Sequence, residues 1–225
     1  MRYELLQKPD FTFVRVTFDA PGEQLRVEAS AMLARDSGVE MKTEMAGGLL
    51  AAAKRKMLGG ESLFQNTFTA TAPGQRLLLA PGPEGDVDVS ECRPDLPIFL
   101  SSGAFLASAP SVALDTRWGG ARGFFSGAGL FLLRAEGHGP LFFSCFGGIH
   151  AVDVGPSGYF CDTSHIVGFT AGLDYKVTKL GGLKGLLFSG EGLLCHFTGQ
   201  GRLWISTRNP GALASFVHAY RAVQR

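Results

Sequence analysis

Two stretches of the chain repeat one pattern, "FSGAGLFLLRAEGHGPLFFSC" (125–145) and "FSGEGLLCHFTGQGRLWIST" (188–207). An earlier stretch, "LGGESLFQNTFTATAPGQRLLLAP" (58–81), aligns with both when Gly60, Gly127 and Gly190 are placed in register. In each copy an alternating apolar run leads into a glycine-containing turn, and a second apolar run follows. Alternation with period two on both sides of a turn is typical of a β-hairpin. The pattern therefore predicts three β-hairpins.

A second element also occurs three times, as "SAMLARDSGVEMKT" (30–43), "GAFLASAPSVALDT" (103–116) and "SHIVGFTAGLDYKV" (164–177). Each copy predicts a strand, a turn and a second strand, with Val39, Val112 and Leu173 at matching positions. The two elements alternate along the chain, so the sequence predicts three structural repeats of roughly 60–70 residues. Their approximate bounds are 25–81, 96–145 and 159–207, within a single all-β domain that spans 1–225.

Two segments favour helices. The stretch 47–58, "GGLLAAAKRKML", is rich in helix formers and predicts a short internal helix. Near the end, Asn209 and Pro210 provide an N-cap and a first helical residue, so the sequence predicts a C-terminal helix over 210–225. One face of that helix carries an apolar stripe of Leu213, Phe216, Val217, Tyr220 and Val223. We expect this stripe to pack on the β-structure.

Composition limits the class of protein. The 225 residues are 45% hydrophobic and 18% charged, which provides for a folded core, and Gly (31) and Phe (18) are abundant. A net charge of +1 argues against a dedicated nucleic-acid binder. The first residues lack the apolar core of a signal peptide, and no apolar run approaches the length that crosses a bilayer. We therefore expect a cytoplasmic protein with its four cysteines reduced.

Several segments together resemble the altered inheritance of mitochondria protein 24 family. They are "YELLQKPDFTFVRVTF", "PGEQLRVEASAML", "GVEMKT", "KRKMLGGESLFQNTFTA", "SGEGLLCHF" and "GRLWISTRN". The resemblance covers nearly the whole chain, and the block over 54–68 is its most specific part. It implies a tryptophan RNA-binding attenuation protein-like fold, a β-sandwich of the double-stranded β-helix type. It implies no reaction, because the bacterial members are uncharacterised, whereas the eukaryotic members are associated with organisation of the mitochondrial inner membrane.

The residues that could bind a metal or act as a nucleophile do not form a recognisable motif. The Cys/His candidates for a metal site are Cys145 with His150, Cys161 with His165, and Cys195 with His196. Their spacing matches none of the usual zinc ligand pairs, so the sequence predicts no metal and no cofactor. The serines in "SGAG" and "SGEG", Ser126 and Ser189, lack the flanking pattern of a nucleophile elbow, and we expect them to form turns.

Charged residues at matching repeat positions give equally weak signals. Glu61 and Glu191 align with each other, and Ala128 takes their place in the middle copy. Arg55 and Arg122 also align, with Lys184 one place earlier in the third copy. The more ordinary interpretation is that the glutamates are solvated carboxylates beside glycine turns and that the basic residues lie singly on an exposed rim. No catalytic residue is therefore predicted, and we expect the protein not to be an enzyme.

Apolar pairs in the connectors between the elements are the candidate interface. These pairs are Met57–Leu58, Phe124–Phe125 and Leu187–Phe188. They either cap the core or form a surface for oligomerisation or membrane contact. The leading hypothesis is a non-enzymatic scaffold that self-associates as a homo-oligomer. A small-ligand or RNA-binding module is the alternative, by analogy of fold alone, and a metal-dependent enzyme is the third hypothesis.

Overall fold

The computed structural model describes residues 1–45, 64–115, 124–125, 130–178 and 193–221. Regular structure in these ranges is almost entirely antiparallel β-strand, so the predicted all-β class is confirmed. The predicted internal helix over 47–58 lies outside the described residues. No helix within them is both long and apolar enough to cross a bilayer.

After an N-terminal strand, β1 (Arg2–Leu6), the strands fall into three sets of six. The first set is β2 (Phe13–Thr17), β3 (Gln24–Glu28), β4 (Met32–Arg35), β5 (Val39–Met45), β6 (Phe64–Ala70) and β7 (Arg76–Leu79). The second is β8 (Gly85–Cys92), β9 (Ile98–Ser101), β10 (Phe105–Ser108), β11 (Val112–Asp115), β13 (Leu130–Gly137) and β14 (Gly139–Phe146), with a short extra strand β12 (Phe124–Phe125). The third is β15 (Ile149–Val154), β16 (Tyr159–Asp162), β17 (Ile166–Thr170), β18 (Leu173–Thr178), β19 (Leu194–Gly199) and β20 (Gly201–Ser206). Each set begins one strand before the corresponding bounds given above.

Within every set, three strands are adjacent in one sheet, in the order first, sixth, third. The other three are adjacent in a second sheet, in the order fourth, fifth, second. Sheet 1 has the order β1-β2-β7-β4, and sheet 2 has the order β5-β6-β3-β10-β14-β8. Sheet 3 has the order β11-β13-β9-β17-β20-β15, with β12 pairing β13, and sheet 4 has the order β16-β19-β18. Sheets 2 and 3 therefore each join strands of two neighbouring sets.

Three apolar clusters lie between successive sheets, one for each set of strands. The first contains Phe18 and Phe68, the second Phe143 and Trp204, and the third Phe169 and Phe197. Residues of the next set complete the first two clusters: Phe142 of β14 belongs to the first and Trp204 of β20 to the second. Each set thus buries part of its own surface against its neighbour.

The three predicted β-hairpins are wrong. β6 and β7 lie in different sheets, and so do β13 and β14, and β19 and β20. The antiparallel neighbours are instead β5 with β6, β11 with β13, and β18 with β19. Alternating apolar residues show that a strand has one buried face, but they do not show whether the chain then folds back or crosses to the facing sheet.

The glycine turns make these crossings. Gly137, Gly139 and Gly199 have φ of +135°, +115° and +98°, whereas the φ of Gly201 lies outside the left-handed region. A Cβ atom on Gly137 would lie 2.1 Å from the carbonyl oxygen of Ser111. Gly137 is therefore required both by its backbone angle and by the close approach of another segment.

The C-terminal helix α1 (Pro210–His218) begins as predicted. The Asn209 side chain accepts hydrogen bonds from the backbone N–H groups of Gly211 and Ala212, and Pro210 occupies the first turn. α1 ends at His218, short of the predicted end at 225, so Tyr220 lies beyond it. The expected packing of the apolar stripe is wrong for the described residues. Leu213, Phe216, Val217 and Tyr220 are all exposed, and α1 contains no buried residue. Val223 lies outside the described residues.

Candidate functional site

The third strands of the sets, β4, β10 and β17, share an irregularity in their ladders. The register shifts between Met32 and Ala34, between Phe105 and Ala107, and between Ile166 and Gly168. A bulge at one position in all three strands shows that these positions are structurally equivalent. Leu33, Leu106 and Val167 are therefore equivalent residues, each skipped by the register.

The second strands, β3, β9 and β16, align through the strands beside them. The cross-strand series are Met41–Phe68–Leu25, Leu114–Ala135–Ile98 and Tyr175–Phe197–Tyr159. Because the first residues of these series already match in sequence, Leu25, Ile98 and Tyr159 occupy one position. It follows that Arg26, Phe99 and Phe160 occupy the next position.

The second strand of one set pairs with the third strand of the following set, and both such ladders have the same register. Val27 of β3 lies opposite Ala107 of β10. At the next junction Leu100 of β9 lies opposite Gly168 of β17. Val27 and Leu100 are equivalent, as are Ala107 and Gly168. One interface is therefore used twice within the chain.

Two strands lack the partner that their equivalents have. β4 pairs with β7, and β16 pairs with β19, and in the part of the chain that the structure describes neither ladder continues beyond these edges. β4 is the third strand of the first described set. β16 is the second strand of the last described set. Among the described residues, β4 and β16 therefore present two complementary halves of the internal interface.

Apolar side chains on β4 are exposed where their equivalents are buried. Met32 is 39% exposed and Leu33 57% exposed. The residues at the same positions are almost fully buried: Phe105 2%, Ile166 5%, Leu106 0% and Val167 3%. The difference follows from the missing partner strand, since the residue types are similarly apolar.

The same contrast holds for β16. Phe160 is 58% exposed, and the equivalent Phe99 is only 5% exposed. Phe99 packs on Phe169 of the next set, with ring centroids 5.3 Å apart. Phe160 instead stacks on His196, with centroids 4.1 Å apart and an angle of 10° between the rings. This stacking holds the Phe160 ring on the surface of sheet 4.

The outer face of sheet 1 is also incomplete. Leu78 is half-buried, whereas Phe142 and Trp204, its equivalents on β14 and β20, are 0% and 3% exposed because each enters the apolar cluster of the preceding set. A cleft of about 290 Å³ lies beside Leu78. Its lining is Leu6, Phe13, Arg15, Ala34, Arg35, Asp36, Arg76 and Leu78. The cleft lies where a preceding set of strands would pack.

Charged residues along the cleft are largely paired with one another. Arg15 binds Glu4 at 2.7 Å, and Arg76 binds Asp36 at 3.1 Å. Hydrogen bonds from the Arg76 side chain are the main reason why the pKa of Asp36 lies below its usual range. Arg35 donates to the backbone oxygen of Val39. The guanidinium groups of Arg15, Arg35 and Arg76 therefore have fixed partners and surround the apolar residue Leu78.

Most of the interface residues predicted from sequence cannot be placed. Met57, Leu58, Leu187 and Phe188 lie outside the described residues. Phe124 and Phe125 form β12, opposite Phe131 and Leu130 of β13. A role for the connectors in association stays a prediction. Sequence reasoning missed the open edges of β4 and β16, because an exposed apolar strand has the same residue pattern as a buried one. The alignment of the repeats was the signal that could have identified them.

The charged and hydroxyl candidates from sequence likewise fall outside the described residues. They are Arg55, Glu61, Arg122, Ser126, Lys184, Ser189 and Glu191. The prediction that they have no catalytic role is therefore untested by the geometry.

The Cys/His candidates are only partly brought together. Cys161 and Cys195 lie directly opposite each other on β16 and β19 as buried free thiols. Burial raises the pKa of each to about 12. His165 contacts the backbone oxygen of Ser206 at 2.7 Å, whereas His196 stacks on Phe160.

The other candidate pair, Cys145 with His150, forms no cluster either. Burial raises the pKa of Cys145 to about 12 as well, and its Sγ lies 3.4 Å from the backbone oxygen of Gly147. Within the described ranges no three His, Cys, Asp or Glu residues gather into a group that could hold a metal. The absence of a metal and of a cofactor stays a prediction.

A buried carboxylate that sequence reasoning missed has a full set of partners. Lys8 Nζ donates to both oxygens of Asp86 at 2.9 Å, and Thr12 Oγ1 donates at 2.7 Å. The backbone N–H groups of Val87 and Ile149 donate at 2.9 and 3.3 Å. Because its acceptor capacity is filled, Asp86 ties the N-terminal segment to β8 and β15.

A second cleft, of about 580 Å³, lies between the second and third sets. Its lining includes Ser90 and Leu96 from one set and Trp204 from the next. Its charged residues, Asp153 and Arg202, bind each other at 2.8 Å. The volume suits a small ligand, but no described group in it selects a ligand class. Small-ligand or RNA binding stays a prediction from the fold.

Comparison with known proteins agrees with this architecture. The chain is 27% identical to an uncharacterised protein of Streptococcus pyogenes serotype M6, covering 98% of this chain and 91% of the relative. A crystal structure of a Streptococcus pyogenes protein superimposes with a TM-score of 0.79 at 26% identity, covering 98% of this chain and 99% of that one. The tryptophan RNA-binding attenuation protein-like detail of the fold stays a prediction. Residues 3–208 match the family described as mitochondrial biogenesis AIM24, and the chain belongs to that family.

Proposed function

We propose that the protein is a non-enzymatic scaffold that works by self-association. The observation that supports this most strongly is the pair of open edges, β4 and β16. Their equivalents are joined twice within the chain, and both edges expose large apolar side chains. A second copy of the chain offers the matching half of the interface to each edge.

The nature of the exposed residues supports the proposal. Proteins usually guard a free strand edge with charge, proline or a covering segment, because unpaired backbone groups attract other strands. β4 and β16 instead present Met32, Leu33, Tyr159 and Phe160. Apolar residues of this kind at a rigid edge are typical of surfaces that become buried in an assembly.

The experiment compares charge substitutions at two exposed phenylalanines. Phe160→Lys places an ammonium group on the β16 edge, whereas Phe11→Lys places the same group at a loop residue that is 70% exposed. We expect light scattering to show an oligomer for the unmodified protein and for Phe11→Lys, and a particle near 23.9 kDa for Phe160→Lys. Because both residues are exposed, both variants should fold, and their melting temperatures serve as a check.

Two results would contradict the proposed function. One is a monomer for the unmodified protein at micromolar concentration. The other is equal dissociation of the oligomer by Phe160→Lys and Phe11→Lys, because the added charge alone, at any exposed position, would then explain the loss of association. A cytoplasmic location remains part of the proposal and is tested by fractionating the source cells.

A further inference from the structure

We infer that copies of the chain join head to tail, with β16 of one copy pairing antiparallel with β4 of the next. The inference rests on the proposed function and specifies the contact that carries it. It follows from repeating, between two chains, the ladder that joins β3 to β10 and β9 to β17 within one chain.

The register of this contact can be derived residue by residue. At the internal junction Gly168, Phe169 and Thr170 lie opposite Leu100, Phe99 and Ile98. The equivalents of the first three are Ala34, Arg35 and Asp36, and the equivalents of the last three are Cys161, Phe160 and Tyr159. Ala34 is therefore opposite Cys161, Arg35 opposite Phe160, and Asp36 opposite Tyr159. A shift by one residue would place every side chain on the wrong face.

The central pair has favourable chemistry. Where the internal junction places Phe99 against Phe169, the contact between copies places the Phe160 ring against the Arg35 guanidinium. A guanidinium on an aromatic face is attracted by the ring quadrupole, more strongly as water leaves. Stacking on His196 already fixes the ring of Phe160, so little side-chain freedom is lost on binding.

The contact extends beyond the strand edges. In the chain, Phe142 and Trp204 fill the apolar clusters of the preceding sets. Leu78 takes their place on sheet 1 and faces the third cluster of the neighbouring copy, which includes Cys195 and Phe197. The cleft of about 290 Å³ beside Leu78 closes in the same contact. Edge pairing and apolar burial thus act together.

The contact is heterologous, because it joins two different surfaces of identical chains. A joined pair still has an unpaired β4 on one copy and an unpaired β16 on the other. Such an interface generates a closed ring or an open filament, and it never stops at a symmetric dimer formed by one patch with itself. This polarity provides the test.

The experiment uses engineered disulfides at the central pair. Arg35→Cys and Phe160→Cys are made as separate proteins, mixed, and oxidised with copper phenanthroline. Residues opposite each other on antiparallel strands have Cα atoms about 4.5–5.5 Å apart, within the range that a disulfide bridges. We expect a linked dimer near twice 23.9 kDa from the mixture and none from either variant alone. The double variant should give a ladder of linked multimers or a linked ring.

Background from the native thiols is low. Burial raises the pKa of Cys92 to about 11, and those of Cys145, Cys161 and Cys195 to about 12. Few of these thiols are thiolates near neutral pH, and thiolate is the reactive form. The unmodified protein serves as the blank. Phe11→Cys, mixed with Arg35→Cys, is the control for random collision.

Specific outcomes overturn the inference. Linked dimers from Arg35→Cys alone would show that β4 pairs with itself, and a purely intrachain disulfide in the double variant would show that the chain closes on itself. An oligomer by light scattering without linkage at this pair, or at the second pair Asp36→Cys with Tyr159→Cys, would reject the register while leaving self-association intact. A monomer at all concentrations would instead reject the proposed function.

Discussion

The equivalence of Leu33 and Leu106 allows a matched test of the architecture. Both are leucines at the bulge of a third strand, but Leu106 is 0% exposed and Leu33 is 57% exposed. If the repeats are aligned as described, Leu106→Ala and Leu33→Ala should differ in stability because Leu106 packs in the apolar cluster of the preceding set, whereas Leu33 lies on an open edge. We expect Leu106→Ala to lower the free energy of unfolding strongly and Leu33→Ala to lower it slightly.

The magnitudes follow from burial. Leucine to alanine removes about three methylene-sized groups, worth about 0.8 kcal/mol each when fully buried, and hence about 2.4 kcal/mol of transfer free energy. A cavity adds to this at Leu106, so we expect a loss of about 3–4 kcal/mol there. At Leu33, 57% exposed, roughly four-tenths of the transfer applies and no enclosed cavity forms, which gives about 1 kcal/mol.

Urea unfolding, followed by tryptophan fluorescence at a concentration where the protein is monomeric, measures both losses. Raising the concentration should then stabilise the unmodified protein more than Leu33→Ala, because association adds to folding by mass action. Losses that agree within about 0.5 kcal/mol at low concentration would refute the reasoning, since independent sites of different burial would then behave alike.

Two further predictions concern a glycine turn and metal. Gly199→Ala should destabilise the protein more than Gly22→Ala. Both glycines have a positive φ, which costs any other residue roughly 1–2 kcal/mol. An added Cβ at Gly199 would lie 2.5 Å from the carbonyl oxygen of Gly172, whereas at Gly22 it would contact nothing within 4 Å. Equal shifts in thermal midpoint for the two variants would show that this close approach is absent. Protein purified without chelator should contain no stoichiometric transition metal by elemental analysis, whereas one zinc or iron per chain would direct mutagenesis to Cys161, His165, Cys195 and His196.

The strands were predictable because their residues have local signals. Val39, Val112 and Leu173 begin β5, β11 and β18, as the alignment of the repeats requires. Asn209 and Pro210 likewise marked the start of α1. These features depend on alternation, turn residues and caps, all of which act over a few neighbouring positions.

Strand pairing was not predictable in the same way. Gly199 is the last residue of β19, and only Gln200 separates it from β20. Nevertheless β19 pairs with β16 and β18, whereas β20 pairs with β15 and β17. A left-handed glycine reverses the chain both in a hairpin and in a crossing between facing sheets. The choice depends on which sheet offers the next free edge, and that is a property of distant residues.

The helix α1 shows the opposite limit. Its apolar stripe satisfies the pattern of a buried helix, but Phe216 is 62% exposed. In the described part of the chain its ring contacts that of Tyr220 in a tilted arrangement, with centroids 5.2 Å apart. An apolar face indicates that burial would be favourable and does not say which surface provides it. Exposed positions such as Phe160 were missed for the same reason.

Other edge strands differ from β4 and β16 in the residues that they expose, and this difference supports an assembly through β4 and β16. The open outer edge of β5 has the sequence "VEMKTEM", in which the exposed Met41 lies between Glu40 and Lys42. β8 ("GDVDVSEC") and β18 ("LDYKVT") also place charges along their edges, and β1 covers β2 with Glu4 bound to Arg15. Charge on an edge opposes pairing with a further strand. β4 ("MLAR") and β16 ("YFCD") each carry two large exposed apolar residues and a single charged residue, and these are the same two strands that lack an internal partner. The edge strands β11 ("VALD") and β15 ("IHAVDV") also carry a single acidic residue each, but neither has a large exposed apolar side chain. Among the described edge strands, pairs of large exposed apolar residues therefore occur on β4 and β16, where the repeat leaves an interface incomplete, which is the distribution expected if these edges are joined between copies.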